Sequence, residues 1–155
     1  MARVRTQISE HPVHPMLVVI PVGLWVAALV FDIVGMASGN AMWGTLAFWN
    51  IVVGIVGALI AAVPGFLDYL TLDGRARRIG TWHLVMNVSA VVLFTVNAVV
   101  RTQVAFGSIW PLALSIIGVL VLLVSGWLGA ELVYVERVGV TEPRERADER
   151  SRRAA

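Results

Sequence analysis

Four long apolar stretches divide the chain, and short polar or glycine-containing segments separate them. A membrane-spanning helix needs about 20 predominantly apolar residues, and each stretch reaches that length. They lie at about residues 15–36, 42–66, 81–100 and 109–132. Polar residues recur within them at helical spacing rather than alternating as in a strand. The pattern predicts an all-α integral membrane protein with four transmembrane helices.

The polar segments divide the chain into three parts. Residues 1–14 form a polar N-terminal segment, 15–135 the transmembrane domain, and 136–155 a charged cytoplasmic tail. Short connections favour an up-and-down helix bundle, with one substantial loop predicted at 67–81. Proline is favoured at the first helical position, so His14-Pro15 predicts a helix start with His14 as the capping residue.

Composition supports this architecture. Hydrophobic residues make up 58% of the chain and charged residues 14%, with a mean hydropathy of +0.81. Soluble domains contain about 45–50% apolar and about 25% charged residues. A soluble fold of 155 residues could not bury so much apolar surface. The lipid bilayer is therefore the predicted surroundings of the four helices.

Arginine placement predicts the orientation in the membrane. All twelve basic residues are arginines, and those near the ends of the predicted spans lie mostly on the side of the termini and the 67–81 loop. The positive-inside rule then predicts an inner-membrane protein with both termini in the cytoplasm. A net charge of +2 is too small and scattered to indicate nucleic-acid binding.

Several classes of chemistry are excluded or lack support. The chain has no cysteine, which excludes disulfides, thiolate metal sites and thiol nucleophiles. Gly-x-Ser-x-Gly, P-loop and Rossmann motifs are also missing from the sequence. The sequence therefore favours a protein that is not an enzyme. Small residues spaced four apart in the second span, Gly54/Ala58 and Gly57/Ala61, allow close helix contact and make a homodimer a candidate assembly.

Polar residues gather at the predicted cytoplasmic end of the spans. Three imidazoles and two carboxylates at one depth form a candidate metal-ligand set, since imidazole and carboxylate bind iron or zinc. These are His11, His14, Asp68, His83 and Glu131. Histidines on different helices could instead be the axial ligands of haem b. Supporting hydrogen-bond partners would come from Tyr69, Asn87 and Tyr134.

The same residues have a purely structural interpretation. His14 would cap the first helix, His11 would be a surface residue, and His83 would anchor a helix at the membrane interface. The two carboxylates would then pair with arginines of 75–78 or with Arg137 in the headgroup region.

A second polar cluster is predicted at the opposite, outer end. It comprises Asp32, Asn50, Asn97 and Arg101. An intramembrane carboxylate needs a partner, and Arg101 or Asn97 lies at a compatible depth for Asp32. A structural ion pair and a proton relay both remain open. Helical spacing also predicts two inward faces: Pro21, Trp25, Ala28, Asp32 and Gly35 in the first span, and His83, Asn87, Ala90, Phe94 and Asn97 in the third.

Several motifs resemble a known family. They are His11-Pro12-Val13-His14-Pro15-Met16-Leu17, Pro21-Val22-Gly23-Leu24-Trp25, Phe31-Asp32, Val63-Pro64-Gly65-Phe66-Leu67-Asp68-Tyr69, Gly80-Thr81-Trp82-His83 and Gly126-Trp127-Leu128-Gly129-Ala130-Glu131-Leu132-Val133-Tyr134. Together they resemble the bacterial membrane family designated domain of unknown function 2231. The resemblance implies a four-helix membrane domain without an established activity. Relatives that resemble fusions to Rieske-type iron–sulfur domains imply a role beside electron transfer, although this chain has no cysteine to ligate a cluster.

Three functions follow as hypotheses. The first is a haem- or metal-binding protein that serves electron transfer with a redox partner. The second is a structural or accessory membrane subunit without a cofactor. The third is a small transporter or proton relay, for which four spans are few and the expected repeat symmetry is not evident.

Overall fold

The computed structural model describes the backbone of residues 7–8, 11–140 and 152–153, and the side chains of residues 13–140 and 152–153. Two short strands, β1 (Gln7–Ile8) and β2 (His11–Pro12), pair antiparallel. Five α-helices and one π-helical turn follow. They are α1 (Val13–Leu17), α2 (Val19–Ser38), α3 (Ala41–Leu70), α4 (Gly74–Gln103), α5 (Ile109–Ala130) and the π-helical turn Glu131–Val135.

Four segments of this fold are long and apolar enough to cross a membrane: Val13–Ser38, Ala41–Leu70, Gly74–Gln103 and Ile109–Val135. Large apolar side chains cover their exposed faces, including those of Leu59, Val99 and Leu123. Water would not tolerate so extensive an apolar surface, whereas lipid does. The all-helical architecture and the bilayer surroundings predicted from the sequence are therefore confirmed.

The turn between α2 and α3 follows from two residues. Gly39 ends α2 with a φ of 68°, a left-handed conformation that glycine adopts without steric cost. Asn40 then caps α3, because its side-chain oxygen accepts a hydrogen bond from the backbone N–H of Met42 at 3.0 Å. The connection between the first two long helices is therefore a tight turn at Gly39 and Asn40.

The predicted loop at 67–81 is much shorter than expected. α3 continues through Pro64 to Leu70, and α4 already begins at Gly74. Helices can extend beyond the apolar zone because their backbone hydrogen bonds are made internally. Arg77 also ties the two helices together: its Nη1 donates to the Tyr69 carbonyl at 2.9 Å, and its guanidinium lies 3.9 Å from the centre of the Tyr69 ring.

The predicted helix start is also corrected. α1 begins at Val13, so His14 is the second residue of a helix and not its cap. Val18 interrupts the regular helix before α2 begins. Pro15 still lies within the first turn of α1, where its missing N–H costs no intrahelical bond. The imidazole of His14 is thereby available for contacts with another helix.

The predicted inward faces form the core. All five predicted residues of the first span are buried in α2, and Ala90, Phe94 and Asn97 are buried in α4. At the centre, the rings of Trp25 and Phe94 stack with centroids 4.3 Å apart and planes inclined by 16°. The indole Nε1 of Trp25 donates to the Ile51 carbonyl at 3.2 Å. Both predicted inward faces are confirmed, although His83 and Asn87 are only partly buried.

Glycines on α3 and α5 create recesses for these rings. A Cβ atom at Gly54 would lie 2.4 Å from Nε1 of Trp25, and one at Gly118 would lie 2.8 Å from the Phe94 ring. Real Cβ atoms essentially never approach so closely. The small residues therefore accept an aromatic ring from a neighbouring helix, which is a specific form of the close approach that small residues allow in membranes.

The pair α2–α3 and the pair α4–α5 repeat one contact pattern. His14, Trp25 and Asp32 are spaced along the chain as His83, Phe94 and Arg101 are, and Gly54 and Gly65 as Gly118 and Gly129. Moreover, each residue of the first set contacts its counterpart in the second. Contacts between matched positions are the mark of a two-fold relation. The structure thus contains the internal repeat that was not evident in the sequence.

Glycine recesses provide a first test of the packing. We expect Gly118→Ala to lower the free energy of unfolding by about 1–3 kcal/mol, because the added methyl group overpacks against Phe94. Gly126→Ala on the same helix is the matched control, since nothing lies within 4 Å of its Cβ position. It should leave stability unchanged or raise it by up to about 1 kcal/mol. Unfolding in mixed micelles with increasing SDS measures both, and equal losses would contradict this packing.

Candidate functional site

His14 is held by the far end of α3. Its Nδ1 lies 2.8 Å from the carbonyl oxygen of Ala61. One turn further along α3, Gly65 leaves the space that the ring occupies, because a Cβ there would approach Nδ1 to 2.6 Å. The imidazole is therefore fixed by a hydrogen bond and by a close glycine contact on one helix face.

His83 is held in the same way by α5. Its Nδ1 lies 2.9 Å from the carbonyl oxygen of Ser125, and the Ser125 hydroxyl oxygen is 3.2 Å from the same nitrogen. Gly129, one turn further on, would bring a Cβ to 3.1 Å from Cε1 of His83. A histidine, a carbonyl and a glycine are thus arranged identically in the two repeats.

The two rings meet between the repeats. Their centroids are 6.2 Å apart and their planes are nearly perpendicular, at 87°. We call His14 and His83 the imidazole pair. A backbone carbonyl only accepts hydrogen bonds, so each Nδ1 carries the proton. In the neutral ring, Nε2 then keeps its lone pair, which is the state in which histidine binds a metal.

The structure assembles only part of the predicted five-residue ligand set. Among the residues it describes, no group of three or more His, Asp or Glu side chains is placed to hold a metal ion. His14 and His83 come together, whereas the side chain of His11 lies outside the described residues. Asp68 lies in the last turn of α3, and its carbonyl accepts from Thr71.

Glu131 takes the structural role that was the alternative for it. Its Oε1 accepts from Nη2 of Arg75 at 2.9 Å, and Nε of Arg75 also lies 3.2 Å from Oε1 of Glu136. This pairing depends on Arg75 being in α4, where the sequence predicted a loop. Glu131 is therefore bound to an arginine beside the π-helical turn instead of joining the imidazoles.

The three predicted supporting residues do not bond to the imidazole rings. Nδ2 of Asn87 donates to the backbone carbonyl of His83 at 2.9 Å, within its own helix. The Tyr69 hydroxyl bonds to Thr81 at 3.0 Å, and Tyr134 is exposed. The residues that hold the rings are instead Ala61 and Ser125 through their carbonyls, and Gly65 and Gly129 through the space they leave. Every residue of a helix has a backbone carbonyl, so the sequence does not indicate which of them accepts a hydrogen bond from a histidine.

The opposite end of the repeats contains a buried ion pair. Nη2 of Arg101 and Oδ2 of Asp32 are 2.5 Å apart, and the side chains are 9% and 5% exposed. Ser115 donates from its hydroxyl to the same Oδ2 at 2.7 Å. Asn97 accepts from Nε of Arg101 at 2.9 Å and donates to Ser115 at 2.9 Å. We call these four residues the ion-pair network.

This network confirms Arg101 as the partner of Asp32 and includes Asn97. Asn50 is a correction: its amide donates to the Leu46 carbonyl of its own helix at 2.8 Å, which satisfies it locally. Ser115 was missed as a site residue. Its position on the small-residue stripe of the fourth span was the available signal, but a serine there looks like a helix-packing residue.

Comparison with known proteins agrees with the motifs. Residues 10–142 match the model of a family described as predicted membrane protein (DUF2231), and this segment contains all four long helices, the imidazole pair and the ion-pair network. No curated protein and no solved structure matches the chain. Since the family model covers far more than half of the sequence, the chain belongs to the DUF2231 family of predicted membrane proteins.

Proposed function

We propose that the protein binds one transition metal through Nε2 of His14 and Nε2 of His83, either as the iron of haem b or as a bare metal ion. The observation that supports this is the matched anchoring of both rings. Each Nδ1–H is directed to a helix carbonyl on its own repeat. Metal-binding histidines in proteins almost always donate their other ring N–H to a carbonyl or carboxylate in this way.

The separation of the rings is compatible with one shared metal. Two imidazoles whose nitrogens lie about 2.0–2.1 Å from a single metal have ring centres about 5–6.5 Å apart, depending on the angle at the metal. The observed centroid distance is 6.2 Å.

The number of protein ligands favours haem iron over zinc. Structural zinc takes four ligands, and catalytic zinc takes three from the protein. A haem would need no more than two ligands from the protein, a number that His14 and His83 would supply. Within the described part of the chain, two imidazoles come together without a third His, Asp or Glu that could complete a metal site.

A haem or redox-active metal between the repeats would suit one-electron transfer to a redox partner. We further propose an up-and-down helix bundle in the inner membrane with both termini in the cytoplasm, which places the imidazole pair near the cytoplasmic surface. Arg75, Arg77 and Arg78 at the start of α4 support this orientation, because arginine is enriched in cytoplasmic segments close to membrane spans.

Replacing either histidine should abolish metal binding. We expect His14→Ala and His83→Ala to lower the bound metal or haem from stoichiometric to below a tenth per chain, since neither remaining imidazole can hold the metal alone. The visible spectrum and the elemental content of protein purified from its native membrane measure this loss. A Soret band with split α and β bands after reduction identifies haem b, and a stoichiometric metal without that spectrum identifies a bare ion.

Asn87→Ala is the matched control for these variants. Asn87 lies one turn from His83 on the same helix but bonds only to backbone, so its replacement should leave the metal content unchanged. Metal or haem retained in His83→Ala would refute the assignment. If the folded wild-type protein contains neither, the structural or accessory subunit becomes the better description, with the imidazoles acting only in helix packing.

A further inference from the structure

A second candidate site lies at the other end of the repeats. A half-open cavity of about 340 Å³ is lined by parts of α2, α3, α4, α5 and the segment 104–108 that connects α4 to α5. Its volume falls in the range of small-molecule sites, roughly 300–1,000 Å³. Asp32 is eighteen positions from His14, which corresponds to about 27 Å along a helix. The cavity is therefore separate from the imidazole pair.

The floor of this cavity is charged and fixed. Asp32 and Arg101 both line it, although their side chains are more than nine-tenths buried. Three hydrogen bonds fix Arg101, through Nε to Asn97 and through Nη2 to Asp32 and Ser115. A side chain held in this way presents its remaining polar atoms in a defined geometry at little further entropic cost.

One donor and one acceptor of the pair lie outside this network of bonds. The bonds use Nε and Nη2 of Arg101 and Oδ2 of Asp32. Nη1 of Arg101 and Oδ1 of Asp32 take no part in them. Both residues line the cavity. The floor thus offers N–H groups beside a carboxylate oxygen.

Aromatic rings form the walls and the roof. Phe31 and Phe48 line the cavity from α2 and α3. Phe106, from the segment between α4 and α5, reaches over the first repeat, where Cβ atoms at Gly44 and Gly35 would lie 3.2 and 3.5 Å from its ring. Phe106 is 47% exposed. It therefore lines the cavity at its exposed edge, outside the buried core.

From these features we propose that the cavity binds an uncharged hydroxylated ring, such as that of a phenol or a quinol. The ion pair is already neutral, so a charged ligand would add an uncompensated charge to a buried site. A hydroxyl accepts from Nη1–H of Arg101 and donates to Oδ1 of Asp32 at the same time. The apolar ring contacts Phe31, Phe48 and Phe106, for which aromatic stacking geometries are favourable.

Two matched probes test the proposal on the full chain in lipid nanodiscs. 4-Fluorophenol carries the hydroxyl, and 4-fluorotoluene replaces it with a methyl group of similar size. Ligand-observed fluorine NMR reports the binding of each probe to the protein. The same measurement on nanodiscs without protein gives the contribution of partition into lipid, which is subtracted. We expect the phenol to bind saturably and at least tenfold more tightly than the toluene, because only the phenol pairs with the ion-pair network. Equal affinities, or no binding beyond that of empty nanodiscs, would overturn the proposal.

Two variants locate the bound ring. Phe106→Ala removes a cavity wall and should weaken phenol binding about tenfold. Trp110→Ala is the control, because this exposed aromatic residue lies at the same end but does not line the cavity; it should bind as the wild type does. Unchanged affinity in Phe106→Ala would place the phenol elsewhere and refute the site. The site needs no metal, so this result is independent of the imidazole pair.

Discussion

Asp32→Asn is expected to lower the free energy of unfolding by about 3–5 kcal/mol, because it leaves the guanidinium of Arg101 buried without a counter-charge. Asparagine has nearly the same size as aspartate, so the lost stability would come from the missing charge and not from a change in side-chain volume. SDS-driven unfolding in mixed micelles measures it. The double variant Asp32→Asn/Arg101→Gln should be less destabilised than either single variant, since both groups are then neutral and can bond to Ser115 and Asn97.

Glu131→Gln is the matched comparison at a partly exposed position, since the Arg75 and Glu131 side chains are 60% and 26% exposed. It removes the carboxylate charge but keeps an oxygen that accepts from Arg75, and exposed ion pairs contribute about 0–1 kcal/mol. A small loss of unfolding free energy in Glu131→Gln and a large loss in Asp32→Asn would show that burial determines how strongly an ion pair stabilises this protein. Additive losses in the double variant would mean that Asp32 and Arg101 do not stabilise each other.

Trp25→Ala is the second large effect that we expect. The side chain is buried in a recess formed by Gly54 and stacks on Phe94, so truncation leaves a cavity between the two repeats. Replacing a buried tryptophan by alanine typically lowers the free energy of unfolding by about 3–5 kcal/mol. The same unfolding measurement applies, and we expect loss of the Trp25 bond to Ile51 to contribute to the total.

Trp127→Ala controls for the loss of a tryptophan as such. This residue is mostly exposed on α5, on a surface that faces lipid, so its replacement should change stability by no more than about 0.5 kcal/mol. Similar losses of unfolding free energy in Trp25→Ala and Trp127→Ala would contradict the placement of Trp25 in the buried contact between the two repeats.

Apolar periodicity was sufficient to predict the four helices and their buried faces. The stripe Pro21, Trp25, Ala28, Asp32 and Gly35 is entirely buried, and it contains Asp32, since ionisable residues inside membrane helices face the bundle interior. The partner of Asp32 was also predictable, since few residues lie at its depth. Both inferences depend only on spacing along one helix and on depth in the membrane.

The internal repeat is not obvious in the sequence because two of its matched pairs differ in chemistry and only a few histidine and glycine positions are identical. Trp25 matches Phe94, and Asp32 matches Arg101, a residue of opposite charge. These differences follow from the contacts, since an axis that brought Asp32 onto a second aspartate would bury two like charges. The equal spacing gains its meaning from the contacts between the repeats, which join each residue to its counterpart.

Side-chain partners across helices were the least predictable part of the site. The sequence left Glu131 open as a metal ligand or as the partner of an arginine of 75–78 or of Arg137, and Arg75 lies within its reach because α4 begins earlier than the apolar stretch suggests. Asn50 and Asn87 satisfy their amides on their own helices. The partner of each polar side chain depends on how its helix is rotated and on where the neighbouring helices begin and end. Hydropathy does not define either of these.

The metal content of the wild-type protein tests the central proposal most directly. Protein isolated from its native membrane in mild detergent would be analysed for iron, copper and zinc per chain and for its absorption before and after reduction. We predict one haem b or one metal ion per chain, held between His14 and His83. A folded, colourless protein that contains no stoichiometric metal would contradict the proposal and leave the imidazole pair as a helix-packing contact.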